Sequence, residues 1–191
     1  MNYIYPFILI FNYLLVSNNL NINYSPKSLM KYLNNKAGIE KPELEEFKIS
    51  NFDDLGELNG KMFKINNDNS NNFKYIYIGR VFSCRAGGCT AGVSHPVVND
   101  NSEYFDYFTI YDKEINIKHI KVFNYQATHG QEITAAGWLK QFLGYNGTYN
   151  LNVGKNIDAI SGATISVYAI TFDIENKTYI LKQLANKKTG I

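Results

Sequence analysis

The sequence predicts a single α+β domain, built on a twisted, mainly antiparallel sheet with flanking helices. Three observations carry that expectation. Aromatic residues make up 15% of the 191-residue chain, with 15 Tyr and 12 Phe, and rings and β-branched side chains favour pleated, half-covered strands. Two strand-like runs, Tyr104–Tyr111 and Ile115–Tyr125, are joined by the charged triplet Asp112-Lys113-Glu114, which is the pattern of a hairpin. Helical spacing occurs on both sides of this strand-rich middle, with no internal repeat and no linker to divide the chain. Apolar residues make up 45%, enough for one core.

The elements follow in order. Tyr3–Val16 is an apolar run, shorter than the roughly 20 residues a spanning helix needs. It fits the apolar region of a secretory signal or an N-terminal membrane anchor over residues 1–20; a buried helix or strand of the fold is the other reading. No Lys or Arg precedes the run, and no cysteine stands close behind it, which argues against a lipoprotein anchor. Residues 21–191 are then the domain, placed outside the cytoplasm. Ser25-Pro26 reads as a helix start, with Ser25 as the cap and Pro26 in the first helical position. Leu29, Met30, Leu33 and Ala37 recur at helical spacing, and Gly38 closes a helix over about 26–37. A short helix is indicated near Glu43–Phe47.

Lys61–Ile65 and Phe73–Phe82 read as strands, separated by the polar run Asn66–Asn72 as a solvated loop. Alternation in the second hairpin arm puts Ile115, Ile117, His119, Lys121 and Phe123 on one face. Asn116, Lys118, Ile120, Val122 and Asn124 lie on the other. Ile133–Leu143 reads as a helix with Trp138, Leu139 and Phe142 spaced for burial and Gly144 just past its end. A last helix is expected over about Ile165–Leu184.

Charge excludes one class of partner. The net charge is +2 with acids and bases interspersed, so no basic tract argues for nucleic acid. The only cysteines, Cys84 and Cys89, flank a Gly-rich turn. Two thiolates alone complete neither a zinc site nor an iron–sulfur cluster. A disulfide or buried thiols, a thiol–disulfide redox pair, and a shared metal site with His95 all remain open. Arg85 in the same turn is either a phosphate contact or a surface salt-bridge partner. No acid–base or nucleophile–base pair stands out, so no catalytic residue is assigned to this chain alone.

The most informative stretch is Asp158-Ala159-Ile160-Ser161-Gly162-Ala163-Thr164-Ile165-Ser166. Small residues leave backbone uncovered, so another molecule can come close to the Thr164 hydroxyl. At a helix start, free N–H groups and the helix dipole favour a phosphate. An ordinary cap by Ser161 or Thr164 is the competing explanation of the same residues.

The stretch resembles D-x-x-[S/T]-G-A-T-[S/T], the flavin-attachment motif of the FMN-binding domain family. That family includes domains of the C subunit of the Na⁺-pumping NADH:quinone reductase and the G subunit of the Rnf complex. Asp158, Ser161, Gly162, Ala163 and Thr164 match, with Ser166 two positions beyond. A second segment, Thr128-His129-Gly130-Gln131-Glu132, resembles the family's E-T-P-G-L-G loop. Thr128 and Gly130 match, His129 and Gln131 replace Pro and Leu, and Trp138 and Phe142 match the W-x-x-x-F helix that follows. The resemblance runs from about residue 74 to 184.

It implies FMN bonded through its phosphate to Thr164, with Asp158 used in recognition or orientation during attachment. It also implies that the loop Thr128–Glu132 lies beside the flavin ring. Its implied partners are a Mg²⁺-dependent flavin transferase and membrane redox proteins or quinone reductase subunits. The implied function is electron transfer outside the cytoplasm. A thiol–disulfide redox protein using Cys84 and Cys89, or a non-catalytic cell-envelope binding domain, are the alternatives.

Overall fold

The structure, a computed structural model, describes residues 21–47, 58–67, 72–83 and 103–189, with side chains to residue 186. The N-terminal apolar run, Cys84, Arg85, Cys89, His95 and the middle of the Asn-rich run lie outside the described residues.

Five strands form one antiparallel meander in the order β1 (Leu44–Glu46), β2 (Gly60–Ile65), β3 (Tyr75–Ser83), β4 (Glu103–Tyr111) and β5 (Ile117–Tyr125). The expected α+β class holds. Helix α1 (Lys27–Ala37) covers one face, burying Leu29 and Leu33 against Phe63, Ile65, Ile76, Ile78, Phe108 and Ile110. Helix α3 (Thr164–Thr189) covers the other face with Val167, Ile170, Ile174 and Leu181, against Met62, Tyr77, Phe105 and Tyr107. Between β5 and α3 the chain makes a 3₁₀ turn (Gln131–Thr134), the short helix α2 (Ala136–Leu139) and a second 3₁₀ turn (Lys140–Phe142).

Four local expectations are corrected. Ser25 does not cap α1. Pro26 is the N-cap, its carbonyl accepting from the Leu29 and Met30 N–H groups, while the Ser25 N–H donates to Asn23 Oδ1. Glu43–Phe47 is not helical. Its centre is the edge strand β1, in which Glu46 pairs with Lys61 at 2.8 Å across β2. Ile133–Leu143 is not one helix but a succession of short turns, although Leu139 and Phe142 are buried as expected. The faces of β5 are also rearranged. The register shift between Ile110 and Tyr111 in its pairing with β4 moves Ile117 to the α3 side, beside Ile120 and Val122, while Phe123 packs on the α1 side, opposite Ile120 and Val122 as the alternation predicts. A bulge adds one residue to a strand and so exchanges the faces beyond it.

Polar contacts fix where α3 lies across the sheet. The Tyr107 hydroxyl donates to Asp173 Oδ2 at 2.7 Å, and Lys177 Nζ lies 3.2 Å from Asp173 Oδ1. Burial pushes the Asp173 carboxyl up from its ordinary value, opposed by Lys177 and by the Tyr107 hydrogen bond. One turn on, the Tyr111 and Thr178 hydroxyls meet at 3.3 Å. The helix cannot slide along the sheet without stranding buried polar groups, which is costly. The beginning of α3 is therefore held at a fixed place.

Candidate functional site

The first turn of α3 is shaped by a tight turn just before it. The Ala163 N–H donates to the Ile160 carbonyl at 3.1 Å, closing a four-residue turn with Gly162 in its third position. Gly162 has φ +84°, the left-handed conformation that a type II turn requires there and that side chains resist. A Cβ on Gly162 would meet nothing within 4 Å, so the turn also leaves open space above it. Ala163 behaves differently: it is 2% exposed and belongs to the core. Gly162 serves conformation and access, whereas the small size of Ala163 serves packing.

Ala163 also accepts the first helical hydrogen bond, from the Val167 N–H at 2.9 Å. Thr164 is thus the first residue of a 26-residue helix, and it is exposed. The N–H groups of Thr164, Ile165 and Ser166 have no carbonyl one turn earlier to bond. Among the described residues no side chain bonds them, and the first turn carries no acid. An exposed hydroxyl beside three free N–H groups, at the positive end of a long helix, is a donor set suited to a phosphate ester. The residues present therefore fit an FMN phosphate.

Three hydroxyls occur in this stretch, and the fold distinguishes them. Ser161 is exposed in the turn, Thr164 is exposed on the helix, and Ser166 is 3% exposed. Ser166 is covered by the loop Thr128–Glu132. A Cβ on Gly130, at φ +89°, would fall 2.6 Å from Ser166 Oγ and 3.1 Å from Ser166 Cβ. Only glycine permits that approach in that conformation. The Tyr125 hydroxyl donates to the His129 carbonyl at 2.5 Å and lies 3.3 Å from Ser166 Oγ. Thr128 Oγ1 donates to the Glu103 carboxylate, tying the loop to the start of β4. The side chains of His129 and Glu132 are exposed.

The far side of the attachment stretch is pinned as well. Trp138 Nε1 donates to the Asp158 carbonyl at 2.9 Å, and the Asp158 N–H donates to Gln141 Oε1 at 2.7 Å. The Trp138 ring packs edge-on against Phe142 with centroids 5.4 Å apart. The main chain of Asp158 is held while its side chain stays exposed.

The two segments singled out in the sequence are thus brought together: Gly130 packs on Ser166, and residues 138–141 clamp Asp158. Tyr125 and Gln141 were not among the residues singled out, and Trp138 was assigned to packing. Trp138 offered a signal, since a half-buried indole N–H needs a partner. Tyr125 offered only its place at the end of a strand before the loop. Among the described residues no cluster of three His, Cys, Asp or Glu side chains could hold a metal ion.

Comparison with known proteins adds one match. A family model, the FMN-binding domain, matches residues 106–176. That span covers most of β4, the hairpin to β5, the Thr128–Glu132 loop, the Asp158–Thr164 stretch and the first half of α3. A search of curated proteins and a search of solved structures each found no match. The matched span holds both segments that meet at the start of α3, so it is in residues 106–176 that this chain is similar to the FMN-binding domain family.

Proposed function

We propose that the chain is an electron-transfer flavoprotein that carries FMN covalently, through its phosphate, on Thr164. The observation that carries this reading is the placement of Thr164. It is the exposed first residue of α3, behind an open left-handed glycine, inside the family-matched span.

Attachment needs a donor and a second protein. With FAD as donor, Thr164 Oγ1 bonds to the flavin-side phosphorus, the pyrophosphate bond breaks, and AMP leaves. The hydroxyl proton passes to a base on the flavin transferase, because among the described residues none hydrogen-bonds Thr164. The exposed Asp158 side chain is the recognition contact for that transferase. The free N–H groups of Thr164, Ile165 and Ser166 would hold the FMN phosphate. Polar atoms of the Thr128–Glu132 loop would contact the ring.

FMN supplies reversible electron transfer; the protein supplies orientation and electrostatics. The fold needs no acid–base pair for that role. The electron donors and acceptors are membrane redox proteins or quinone reductase subunits outside the cytoplasm, reached from an N-terminal anchor or after secretion.

The test is co-expression with a flavin transferase, followed by a denaturing gel viewed under ultraviolet light. A fluorescent band at the size of this chain is expected, and Thr164→Ala should abolish it. A band of equal brightness in Thr164→Ala, lost instead in Ser161→Ala, would assign the linkage to Ser161.

A further inference from the structure

We propose that Tyr125 is a positioning residue for the flavin: its hydroxyl fixes the His129–Gly130 peptide so that the Gly130 N–H becomes a rigid hydrogen-bond donor to the cofactor. This rests on the FMN reading above and goes beyond it by naming the donor and the side chain that aims it.

Tyr125 is the last residue of β5, and its ring stacks on Phe105 with centroids 5.6 Å apart and 12° between planes. Phe105 is fully buried, so the Tyr125 ring has a firm support. The hydroxyl is thereby brought to 2.5 Å from the His129 carbonyl oxygen. A trans peptide is planar, with its C=O and the following N–H pointing in opposite directions. Holding the carbonyl toward Tyr125 turns the Gly130 N–H away from Tyr125.

That N–H has no acceptor among the described residues, although Gly130 itself is buried. A buried backbone donor left unpaired is costly, and native structures almost always satisfy one. A bound ligand with N and O acceptors would satisfy it. The close approach of Gly130 to Ser166 prevents the loop from sliding to find a partner within the protein. Among the described residues this donor is therefore fixed and without an acceptor, in the loop packed against the attachment helix. A flavin ring gains negative charge when reduced, and a donor aimed at it favours the reduced form and raises the potential.

The test uses full-length protein flavinylated by a co-expressed transferase, with the midpoint potential read on the flavinylated fraction alone. Tyr125→Phe keeps the ring on Phe105 and removes only the hydroxyl. It should shift the oxidised-to-reduced ratio about tenfold toward oxidised, a two-electron midpoint about 30 mV lower. Ser166→Ala keeps the His129 bond and should shift the midpoint by less than half as much. Hydrogen exchange gives a second readout, since the Gly130 amide should be slower in flavinylated than in flavin-free wild-type protein. An unmoved potential in Tyr125→Phe, an equal shift in Ser166→Ala, or an unprotected Gly130 amide would each overturn the assignment. If the wild-type chain takes up no flavin, the FMN reading falls together with it. If the wild-type chain is flavinylated and Tyr125→Phe is silent, only the role of Tyr125 falls.

Discussion

Replacing Gly130 with Ala tests whether the loop is seated on the attachment helix. Two costs add. The φ of +89° strains any side chain, at about 1–2 kcal/mol. The new methyl would also sit 2.6 Å from Ser166 Oγ, 3.0 Å from the Tyr125 hydroxyl and 3.1 Å from Ser166 Cβ. Overpacking of that kind costs about 1–3 kcal/mol. Alanine recovers about 0.5 kcal/mol by restricting the unfolded chain. The expected net loss is about 3 kcal/mol, or a urea midpoint lower by about 1.5 M. Gly38→Ala is the internal control. It has φ +68° and nothing within 4 Å of its would-be Cβ, so only the strain of about 1 kcal/mol applies. On a Ser166→Ala background the cost of Gly130→Ala should fall by about 1 kcal/mol, because the shortest contact is to the deleted oxygen. Equal losses at the two glycines, or strict additivity with Ser166→Ala, would refute the packing of the loop on α3.

Other outcomes follow from the same geometry. Trp138→Phe removes the indole bond to the Asp158 carbonyl at about 1 kcal/mol, and should lower the yield of modified protein more than it lowers the melting temperature. Arg80→Met leaves Asp106 buried without the cation now 2.7 Å away, an expected loss of about 3 kcal/mol by urea unfolding. His119 stacks on Tyr32 at 3.8 Å, and burial, with Lys121 adding to it, lowers its pKa from 6.5 to about 4. The folded state therefore prefers neutral His119. Stability should be level above pH 6.5 and decline toward pH 4, as the unfolded chain takes up the proton first. Because the ring is only half-buried, its share should be about 1 kcal/mol, seen as a shallower decline in His119→Phe.

How far the sequence could be read varied with the range of the interaction. Helix α1 was legible from Leu29 and Leu33 at helical spacing and from Gly38, whose φ of +68° closes the helix. The start of α3 was legible because Ser161-Gly162-Ala163 is a turn by local chemistry. Strand β1 was not. Glu45 and Glu46 favour a helix by local propensity, but as an edge strand they stay in solvent and face Lys64 and Lys61. The alternation of β5 was real but was exchanged at Ile117 by a register shift, which depends on the pairing with β4. Within the site, Thr164 and Gly130 could be picked out one by one. The hydroxyl of Tyr125 reaching Ser166, and the side chain of Gln141 reaching Asp158, join parts of the chain that no local pattern relates.

The most direct measurement is the intact mass of the chain after co-expression with a flavin transferase. Attachment to Thr164 predicts an added mass of about 438 Da, one FMN less one water, with the fragment containing Thr164 carrying it. Thr164→Ala should return the unmodified mass. A wild-type chain that emerges unmodified beside a transferase shown to be active on another substrate would contradict the account, as would the same added mass on Thr164→Ala.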